Sequence, residues 1–408
     1  MSVCEEWCNQ QACSRLRAKL PVSDSAGFDC MTGLILKQVE GRRELDRFMR
    51  VPWKLYGHDP AWVPPLLQQV KERLSRRHNP YFDHADAAYF LAERDGQPVG
   101  RISAQVCQLV QEYQESGTGH FGMFECENRQ ETADALFDAG AEWLRQREMK
   151  RVMGPVDLSI NDEIGMLIDG FHRSPCVMMG HHLPYYQALV EKSGFRKEID
   201  LFAYYKNVKE PFSDRIEKII KWAVNDANMK IRAVAKKDYD RELRKVLDIF
   251  RDAWCDNWGY VPPTDAEVDH LIKQMRQVLD RGAVLLSEVE GELAGFIVIL
   301  PNVNEYLRDL DGRLLPMGWL RLLMRLKFST CDTVRVPLMG VRKKFQRKRV
   351  GAAVSLALID TLRKEHMPAG AKYCEMSWIL ETNSPMRGIL ESAGCERDKV
   401  YRVFSKDI

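Results

Sequence analysis

An internal repeat limits the folds open to this chain more than any other feature of its sequence. Three short segments recur in the same order, each about 195–200 positions further along, and such ordered self-similarity indicates a duplicated structural unit. The recurring segments are an aromatic-Val-Pro-Pro motif at 62–65 and 260–263, a hairpin-like run at 89–100 and 284–295, and a small-residue-Gly motif at 193–195 and 393–395. The sequence therefore predicts two copies of one fold.

Within each copy the hydrophobic pattern changes in the same way. A helical stretch ends in the Val-Pro-Pro motif, and a β-hairpin then turns at Asp95-Gly96 or at Glu290-Gly291. A strand, a helix, a strand, a helix ending in Gly and a last strand follow. This order predicts an α/β (α+β) fold in which each domain has a mixed, mostly antiparallel sheet flanked by helices.

We expect four segments along the chain. Residues 1–30 carry four cysteines and no clear strand or helix pattern, which is typical of a disordered tail. Residues 31–207 are predicted to form the N-terminal domain and residues 231–408 the C-terminal domain. A linker is predicted at 208–230, because a Lys-Glu-Pro run interrupts the pattern there.

Length and charge exclude several classes of protein. With 408 residues the chain is too long for one ordinary core and suits two domains. The formal net charge of +2 lacks the basic excess of a general nucleic-acid binder, so no nucleic-acid partner is predicted. The 11 cysteines are scattered without a CxxC pair, and no run approaches the roughly 20 apolar residues that span a bilayer. We therefore expect a cytoplasmic protein.

The second copy contains a sequence suited to holding an anion. An apolar strand at 334–341 leads into a basic loop and then into a helix with apolar periodicity. A helix that starts from a tight turn presents unpaired N–H groups and the positive end of its dipole, and basic side chains add charge-assisted donors. The basic residues of the loop are Arg342, Lys343, Lys344, Arg347, Lys348 and Arg349. The loop is predicted to bind phosphate, and the alternative is a solvated basic turn that caps a helix.

This loop resembles the signature of the GCN5-related N-acetyltransferase (GNAT) superfamily, Gln/Arg-x-x-Gly-x-Gly/Ala, which lies between the fourth strand and its helix. Gln346 and Gly351 match the ends of the pattern, whereas Arg349 replaces its middle Gly. The resemblance implies an acyl-CoA co-substrate and no metal. The residues it implies for cofactor binding are Met339, Gly340, Val341, Gln346, Arg347, Lys348, Arg349, Val350, Gly351 and Ala352.

A second part of the resemblance lies at 375–383, which is similar to the fifth strand of the superfamily and the Asn that follows it. In that family the fourth and fifth strands splay apart around the thioester arm. The resemblance therefore places Asn383 beside the pantetheine, in a catalytic and cofactor-binding role. A helix N-cap before Pro385 explains Asn383 equally well. Leu390 stands where the superfamily often has a Tyr acid.

The first copy has no equivalent phosphate loop. Its corresponding segment, 121–130, is acidic and lacks the Gly pair, so a phosphate would be repelled there. We therefore expect only the second copy to hold the acyl donor, and the first copy to contribute to the acceptor pocket.

A narrower resemblance covers most of residues 32–408. The blocks that carry it lie at 154–171, 184–186, 256–262 and 301–305. Together they resemble a group of tandem bacterial N-acyltransferases that includes the bacterial ceramide synthases. The resemblance implies transfer of an acyl group from acyl-CoA or acyl carrier protein to an amine, and in particular to a lipid-like or sphingoid-base amine.

Amide formation from an ammonium requires a group that removes its proton. The densest polar cluster in an otherwise apolar neighbourhood is Asn161, Asp162, Glu163 and Asp169. Turn chemistry alone could explain Asp169 before Gly170, but it explains the run 161–163 less well. Glu163 or Asp162 is therefore predicted to be catalytic, and Asn161 to bind the acceptor.

Aromatic and amide side chains are expected to wall the acyl or amine pocket, with core packing as the alternative for at least one tyrosine. These side chains are Tyr185, Tyr186, Asn257, Trp258 and Tyr260. No metal site is predicted, because His172, His181 and His182 lack a recognisable ligand spacing.

An unusual insertion at 314–328 consists almost wholly of Leu, Met and aromatic residues, with Arg321 and Arg325 one helical turn apart. As a helix it would carry a narrow basic stripe and a wide apolar face. Such a helix suits peripheral contact with the inner membrane surface, or a lid over a lipid chain. The alternative is a helix buried against the other domain.

The sequence leaves three functions open. The first is an N-acyltransferase for a lipid-like amine, and the second is an N-acetyltransferase for a small amine or a protein N-terminus. The third is a non-catalytic acyl-CoA-binding scaffold, which draws support from Arg349 and Leu390 at motif positions.

Overall fold

The computed structural model describes residues 33–226, 228–279, 283–346, 349–367 and 370–408. The predicted tail lies outside these ranges. The elements of the first half are β1 (Leu34–Gln38), α1 (Gly41–Tyr56), α2 (Leu67–Arg73), β2 (Ala85–Arg94), β3 (Gln97–Cys107), α3 (Gln108–Tyr113), β4 (Thr118–Cys126), α4 (Gln130–Arg145), β5 (Arg151–Gly154), β6 (Met166–Asp169), α5 (Tyr186–Lys192) and β7 (Arg196–Asn207).

The second half repeats this order with additional helices. Its elements are α6 (Asp214–Asp226), β8 (Met229–Ala233), α7 (Tyr239–Trp254), α8 (Asp265–Leu279), β9 (Ala283–Val289), β10 (Glu292–Pro301), α9 (Asn304–Leu307), α10 (Gly318–Phe328), β11 (Thr333–Val341), α11 (Lys343–Gln346), α12 (Arg349–Thr361), β12 (Tyr373–Leu380), α13 (Ser384–Ser392) and β13 (Glu396–Asp407). Short 3-10 segments lie at Pro80–Asp83, Lys236–Asp238 and Arg308–Leu310, and a π-helical turn at Leu362–His366 extends α12.

The two predicted hairpins are present and have the same turn. Asp95 and Gly96, between β2 and β3, have φ of 50° and 72°, and Glu290 and Gly291, between β9 and β10, have φ of 52° and 82°. Positive φ at both central residues is the mark of a type I′ turn, whose twist matches that of the flanking strands. The repeat seen in the sequence therefore extends to backbone conformation.

The described strands form one sheet in the order β1-β2-β3-β4-β5-β13-β7-β12-β11-β10-β9-β8, with β6 pairing to β13. Neighbours are antiparallel except for β4 with β5 and β11 with β12. In the second half α7 and α12 both pack on β10 and β11, but through separate apolar clusters, so helices cover both faces. The predicted mixed and mostly antiparallel architecture is confirmed.

The two halves exchange their last strands. β7 ends the first half but pairs with β12, and β13 ends the second half but pairs with β5 and β6. The two exchanged strands also pair with each other, antiparallel, at the centre of the sheet. Packing follows pairing, since Phe404 of β13 lies in the core of the first half, whereas Phe202 and Tyr204 of β7 lie in the core of the second.

The segment 208–230, which the sequence predicted as a linker, is structured. It contains α6 and the start of β8, and Phe212, Ile216 and Ala223 are buried in the core of the second half. The Lys-Glu-Pro run that interrupts the pattern corresponds to the short connection between β7 and α6. The predicted boundaries thus separate the two copies of the sequence repeat. The sheet itself is continuous across these boundaries.

Among the residues that the structure describes, no helix is long and apolar enough to cross a membrane.

The strand exchange predicts that the two halves unfold together. Phe404→Ala should lower the free energy of unfolding by about 3–5 kcal/mol, because it opens a cavity around a fully buried ring. Calorimetry should show one transition that shifts as a whole. Phe328→Ala, at an exposed ring, is the matched control and should change stability by about 0.5 kcal/mol or less. Two resolved transitions, of which one moves, would show that the halves are independent.

Candidate active site

A cleft opens where β11 and β12 separate. The two strands are parallel neighbours from Thr333 opposite Tyr373 to Val336 opposite Met376, and beyond that apex no pairing joins them in the described structure. A cavity of about 570 Å³ occupies the cleft. Its walls include residues 339–341 of β11 and 377–380 of β12. Met339, Gly340 and Val341 therefore lie where the sequence placed them.

The mouth of the cavity lies at the N-terminus of α12. Gln346, Gly351 and Ala352 line it, and the first turn of a helix leaves backbone N–H groups without intrahelical partners. A Cβ at Gly351 would stand 2.7 Å from the carbonyl oxygen of Phe345. The tight turn that starts the helix therefore requires Gly at position 351. This contact within the protein explains the glycine without reference to a bound phosphate.

The basic loop is less cationic than its composition suggests. Three of the predicted donors form ion pairs with carboxylates, namely Arg342 with Asp248, Lys343 with Asp256 and Lys344 with Glu292. Arg347 and Lys348 lie outside the described residues, as does the side chain of Arg349. The amide of Gln346 donates to the Val341 carbonyl oxygen over 2.7 Å, which fixes the loop to the end of β11.

Asn383 caps a helix and also lies at the cavity, and its catalytic and cofactor-binding role stays a prediction. Its side-chain oxygen accepts a hydrogen bond from the Met386 N–H over 3.1 Å and caps α13, and the residue also lines the cavity. Leu390 is buried and lines the cavity in place of a tyrosine. Val350 instead packs against the apolar core, so its predicted contact with the cofactor is limited to its backbone.

The cavity continues past the apex into a mostly apolar inner section between β12, α12 and α13. The apolar side chains of this section are Val208, Phe212, Ile359, Leu362, Met367, Cys374, Met376, Leu390 and Cys395. The cations Lys206 and Arg363 also line the cavity and lie over the Phe212 ring. Ile359 lies eight residues after Gly351, which is about 12 Å further along α12. One space therefore joins a helix N-terminus to a long apolar section.

A buried polar group lies on the other face of β12. The Ser377 hydroxyl donates to the Glu375 carboxylate over 2.8 Å and accepts from Arg335 Nε over 3.1 Å. Arg335 and Glu375 are each about 2% exposed, and only Ser377 of the three lines the cavity. Sequence analysis missed this group, although an arginine and a glutamate within otherwise apolar strands were a signal for it.

Both halves build the wall opposite α12. Trp258 packs with Trp378 in an apolar cluster that also contains Cys176 and Met179 of the first half. Met179 Sδ lies 3.4 Å from the Ser377 hydroxyl. Asn257 and Trp258 line the cavity, and the first-half segment before α5 supports this wall from behind through Cys176 and Met179.

Comparison with known proteins gives the family. The chain is 41% identical over 364 residues to the bacterial ceramide synthase of Caulobacter vibrioides, with 89% of this chain and 94% of that protein covered. It is 39% identical over 368 residues to protein YghO of Escherichia coli K12, with 90% and 94% covered. The chain belongs to the bacterial ceramide synthase family.

Solved structures show the fold of this family member. A tandem GNAT protein from the clavulanic acid biosynthesis pathway superposes with a TM-score of 0.52 at 11% identity, covering 92% of this chain and 98% of that chain. A GCN5-related glucosamine N-acetyltransferase region of a fungal β-N-acetylglucosaminidase gives 0.52 at 11% identity, covering 91% and 38%. No family model matches the chain. The protein is an acyltransferase with a tandem GNAT fold.

The acidic cluster of the first half lies beside the cavity wall and outside it. Glu163 accepts from Arg73 Nη1 over 3.1 Å, and its carboxylate comes close to Gly180, next to Met179. Burial raises the pKa of Asp162 to about 6, against the opposing charge of Arg73. A catalytic role for Glu163 or Asp162 stays a prediction, and Ser377 lies nearer to the reacting space.

Four predicted acceptor-binding residues lie away from the cavity. Tyr186 is buried among the rings of the first-half core, and the Tyr185 hydroxyl donates to the Cys126 carbonyl oxygen over 2.8 Å. Tyr260 packs against Phe250, and Asn161 Nδ2 approaches the Val261 carbonyl oxygen at 3.5 Å. The tyrosines therefore pack against the protein core, as the alternative interpretation had it for at least one of them. Local sequence alone does not reveal whether such a ring enters the core or a cleft.

The corresponding strands of the first half do not open into a cleft. β4 and β5 pair from Thr118 to His120, and beyond that point the Val156 N–H still donates to the Phe121 carbonyl oxygen over 2.7 Å, while aromatic rings pack nearby. These rings belong to Phe121, Phe124, Phe137, Tyr186 and Phe195. A donor site in this half would require all of them to move, which supports the prediction that only the second half binds the donor.

The histidines have structural partners. His182 Nδ1 accepts from the Leu167 N–H over 3.0 Å, and burial lowers the pKa of His182 to about 3. His181 Nε2 lies 2.8 Å from an Asp59 carboxylate oxygen. Among the residues that the structure describes, no group of three or more His, Cys, Asp or Glu side chains could hold a metal ion.

The mouth geometry predicts a charge effect on cofactor binding. Ala352→Glu should weaken the binding of coenzyme A by about tenfold or more, because the new carboxylate faces the pyrophosphate at the mouth. The same substitution should leave the melting temperature unchanged or raised, since an acid in the first turn favours the helix dipole.

Ala352→Gln is the matched control, with nearly the same size and no charge. Titration calorimetry of both variants at two salt concentrations separates charge from shape. If Ala352→Glu and Ala352→Gln weaken coenzyme A binding equally, the phosphates do not bind at this turn. The Gly351 position is a poorer probe, because any side chain there collides with the turn.

Proposed function

We propose that this protein transfers a long acyl chain from acyl-CoA to the amine of a lipid. The observation that carries the proposal is the continuity of the cavity, which leads from the N-terminus of α12 past the apex into the apolar inner section. A ligand that fills this space would be anionic beside the N-terminus of α12 and mostly apolar in the inner section, where Lys206 and Arg363 are the cations of the lining. A long-chain acyl-CoA has that chemistry.

The length of the inner section favours a long acyl chain over an acetyl group. An acetyl group held at the apex would leave the space around Ile359, Leu362 and Phe212 unoccupied. Each methylene buried there contributes about 0.8 kcal/mol, so a fatty chain would gain binding energy that acetyl-CoA lacks. The apolar lining supports this interpretation, because a site for a short chain has no use for it.

Coenzyme A is the donor that the mouth favours. Its pyrophosphate suits the unpaired N–H groups at the start of α12. An acyl carrier protein would present the same pantetheine arm through a single phosphodiester, and would need a protein surface beside the mouth. Competition between free coenzyme A and an acylated carrier protein distinguishes the two donors.

The chemistry that we infer begins with a proton transfer at the acceptor side. The ammonium gives a proton to the Ser377 hydroxyl as that hydroxyl passes its own proton to Glu375. The free amine then attacks the thioester carbonyl and the new C–N bond forms, the nitrogen loses its second proton to water, the C–S bond breaks, and the thiolate leaves. The proton held at Glu375 can return through Ser377 to the thiolate, a task that Leu390 cannot perform.

The relatives support the same acceptor class. The Caulobacter relative is named for the synthesis of ceramide, which is the amide of a fatty acid and a sphingoid base. A purified sample incubated with palmitoyl-CoA or acetyl-CoA and a sphingoid base tests the proposal, with mass spectrometry of the products. A long-chain amide is expected. Acetylation alone would favour the small-amine N-acetyltransferase, and donor binding without product would favour the scaffold.

The inner section predicts a change in chain-length preference. Cys374→Phe should lower kcat/KM for palmitoyl-CoA by about tenfold or more relative to butyryl-CoA, because the ring occupies space lined by β12. Cys374→Val, which adds little volume, should keep the native ratio. A ratio unchanged in the Phe variant would place the acyl chain elsewhere.

The proton path predicts a selective loss of turnover. Ser377→Ala should lower kcat by about 10²–10⁴-fold while leaving the dissociation constant of acyl-CoA within about threefold, since it removes a proton carrier and no phosphate contact. Ser377→Thr should recover part of the rate. Glu163→Gln is the comparison variant, and a larger loss there than in Ser377→Ala would assign the proton acceptor to the acidic cluster instead.

A further inference from the structure

Helix α10 and the loop before it expose an unusual set of large apolar side chains. Leu315 is 78% exposed and Phe328 66%, and the others are about half exposed. We call this set the α10 platform, and it consists of Leu315, Met317, Trp319, Leu323, Met324 and Phe328. Contiguous apolar surface of this kind is uncommon on a monomer that has no partner.

The opposite edge of α10 is firmly seated. Leu322 packs with Val63, Leu66 and Leu310 in a small apolar cluster that joins the two halves. Arg325 donates to the Tyr306 carbonyl oxygen over 2.7 Å and pairs with the Asp309 carboxylate. The helix is therefore held in place by one edge, and the alternative of a fully buried helix is excluded because none of its residues is buried.

Positive charge predominates around the platform. Arg313, Arg321 and Lys327 lie exposed along it, and α10 itself contains no acidic residue. The nearby carboxylates have partners, since Asp309 is bound by Arg325, and Asp311 accepts from Trp53 Nε1 over 2.7 Å and lies 4.0 Å from Arg313 Nε. A surface of this kind complements a layer whose outer charge is negative and whose interior is apolar.

A chain of contacts connects the platform to the wall of the cavity. Just before α10, Asn304 Nδ2 donates to the Pro175 carbonyl oxygen over 3.1 Å, and Arg308 donates to the Ser174 hydroxyl. Two residues further, the Val177 carbonyl oxygen accepts from Arg335, which holds Ser377. The platform and the acceptor side of the cavity thus share one set of supporting contacts.

We propose that the α10 platform docks on an anionic lipid bilayer, with its apolar side chains in the headgroup–acyl boundary and its basic residues against lipid phosphates. Trp319 has the amphipathic ring that favours this boundary. Docking would let the lipid amine reach the cavity directly from the bilayer. This delivery of the substrate rests on the proposed function, which it deepens.

Sedimentation with vesicles tests the docking without turnover. The probes are vesicles of phosphatidylcholine alone and vesicles with about one-third phosphatidylglycerol, at low and physiological salt. The native protein should bind the anionic vesicles at least about tenfold more strongly, and salt should weaken that binding. Combined Leu323→Ser, Met324→Ser and Phe328→Ser changes should lower binding by about tenfold or more, because they remove the inserted surface.

A matched triple variant controls for the loss of exposed apolar residues as such. Tyr113→Ser, Val224→Ser and Leu271→Ser change comparably exposed side chains in other helices and should leave vesicle binding unchanged. Arg313→Gln with Arg321→Gln should remove most of the preference for anionic lipid while leaving the melting temperature in place.

Several outcomes would overturn the proposal. Binding that the platform variant retains would place the lipid contact elsewhere, and no binding to either vesicle would end the idea. A dimer in sedimentation velocity that the platform variant abolishes would make this face a contact between two copies. If the protein binds vesicles but acylates no amine, the proposed function is wrong and the docking stands. If the protein acylates a water-soluble amine but does not bind vesicles, delivery of the substrate from the bilayer is wrong and the proposed function stands.

Discussion

The pairing of β7 with β13 is the contact on which the rest of the structure depends. Each strand completes the sheet of the other half, so removing either would leave two open sheet edges at the centre of the molecule. The exchange also explains why one half can furnish a wall for the cavity of the other. The chain that leads into β7 carries Val177 and Met179 across to Arg335 and Ser377. The candidate active site exists because the halves are interlocked.

The parallel strand pair of each half accounts for the different roles of the two halves. In the first half β4 stays in contact with the segment after β5, since the Val156 N–H donates to the Phe121 carbonyl oxygen over 2.7 Å. Rings such as Phe124 and Phe137, whose centroids lie 4.4 Å apart, pack in the core of that half. In the second half the same position stays open and leads inward past Met376. One backbone therefore serves as a rigid support in one copy and as a receptor in the other.

Local sequence was sufficient for much of the fold and for the cavity mouth. The repeat, the type I′ turns and the strand-loop-helix order depend on neighbouring residues, and Gln346, Gly351 and Asn383 lie at the cavity as predicted. Long-range pairings were not predictable. The last strands of the two halves have similar sequence patterns, so the sequence does not show that they exchange places. The residues around Lys343 likewise do not indicate its ion pair with Asp256. The Ser377 group also joins strands that are distant in sequence, so no local motif marks it.

The strand exchange has a consequence for how the protein is made. The first half emerges from the ribosome complete except for its last sheet neighbour, which is encoded about 200 residues later. At about 5–20 residues per second, roughly 10–40 s pass before β13 can pair with β5 and bury Phe404. During that interval the nascent chain presents the edge of β5 and an incomplete core to the solvent. A chaperone that shields this edge would raise the yield of native protein, and slow translation of the second half would lower it.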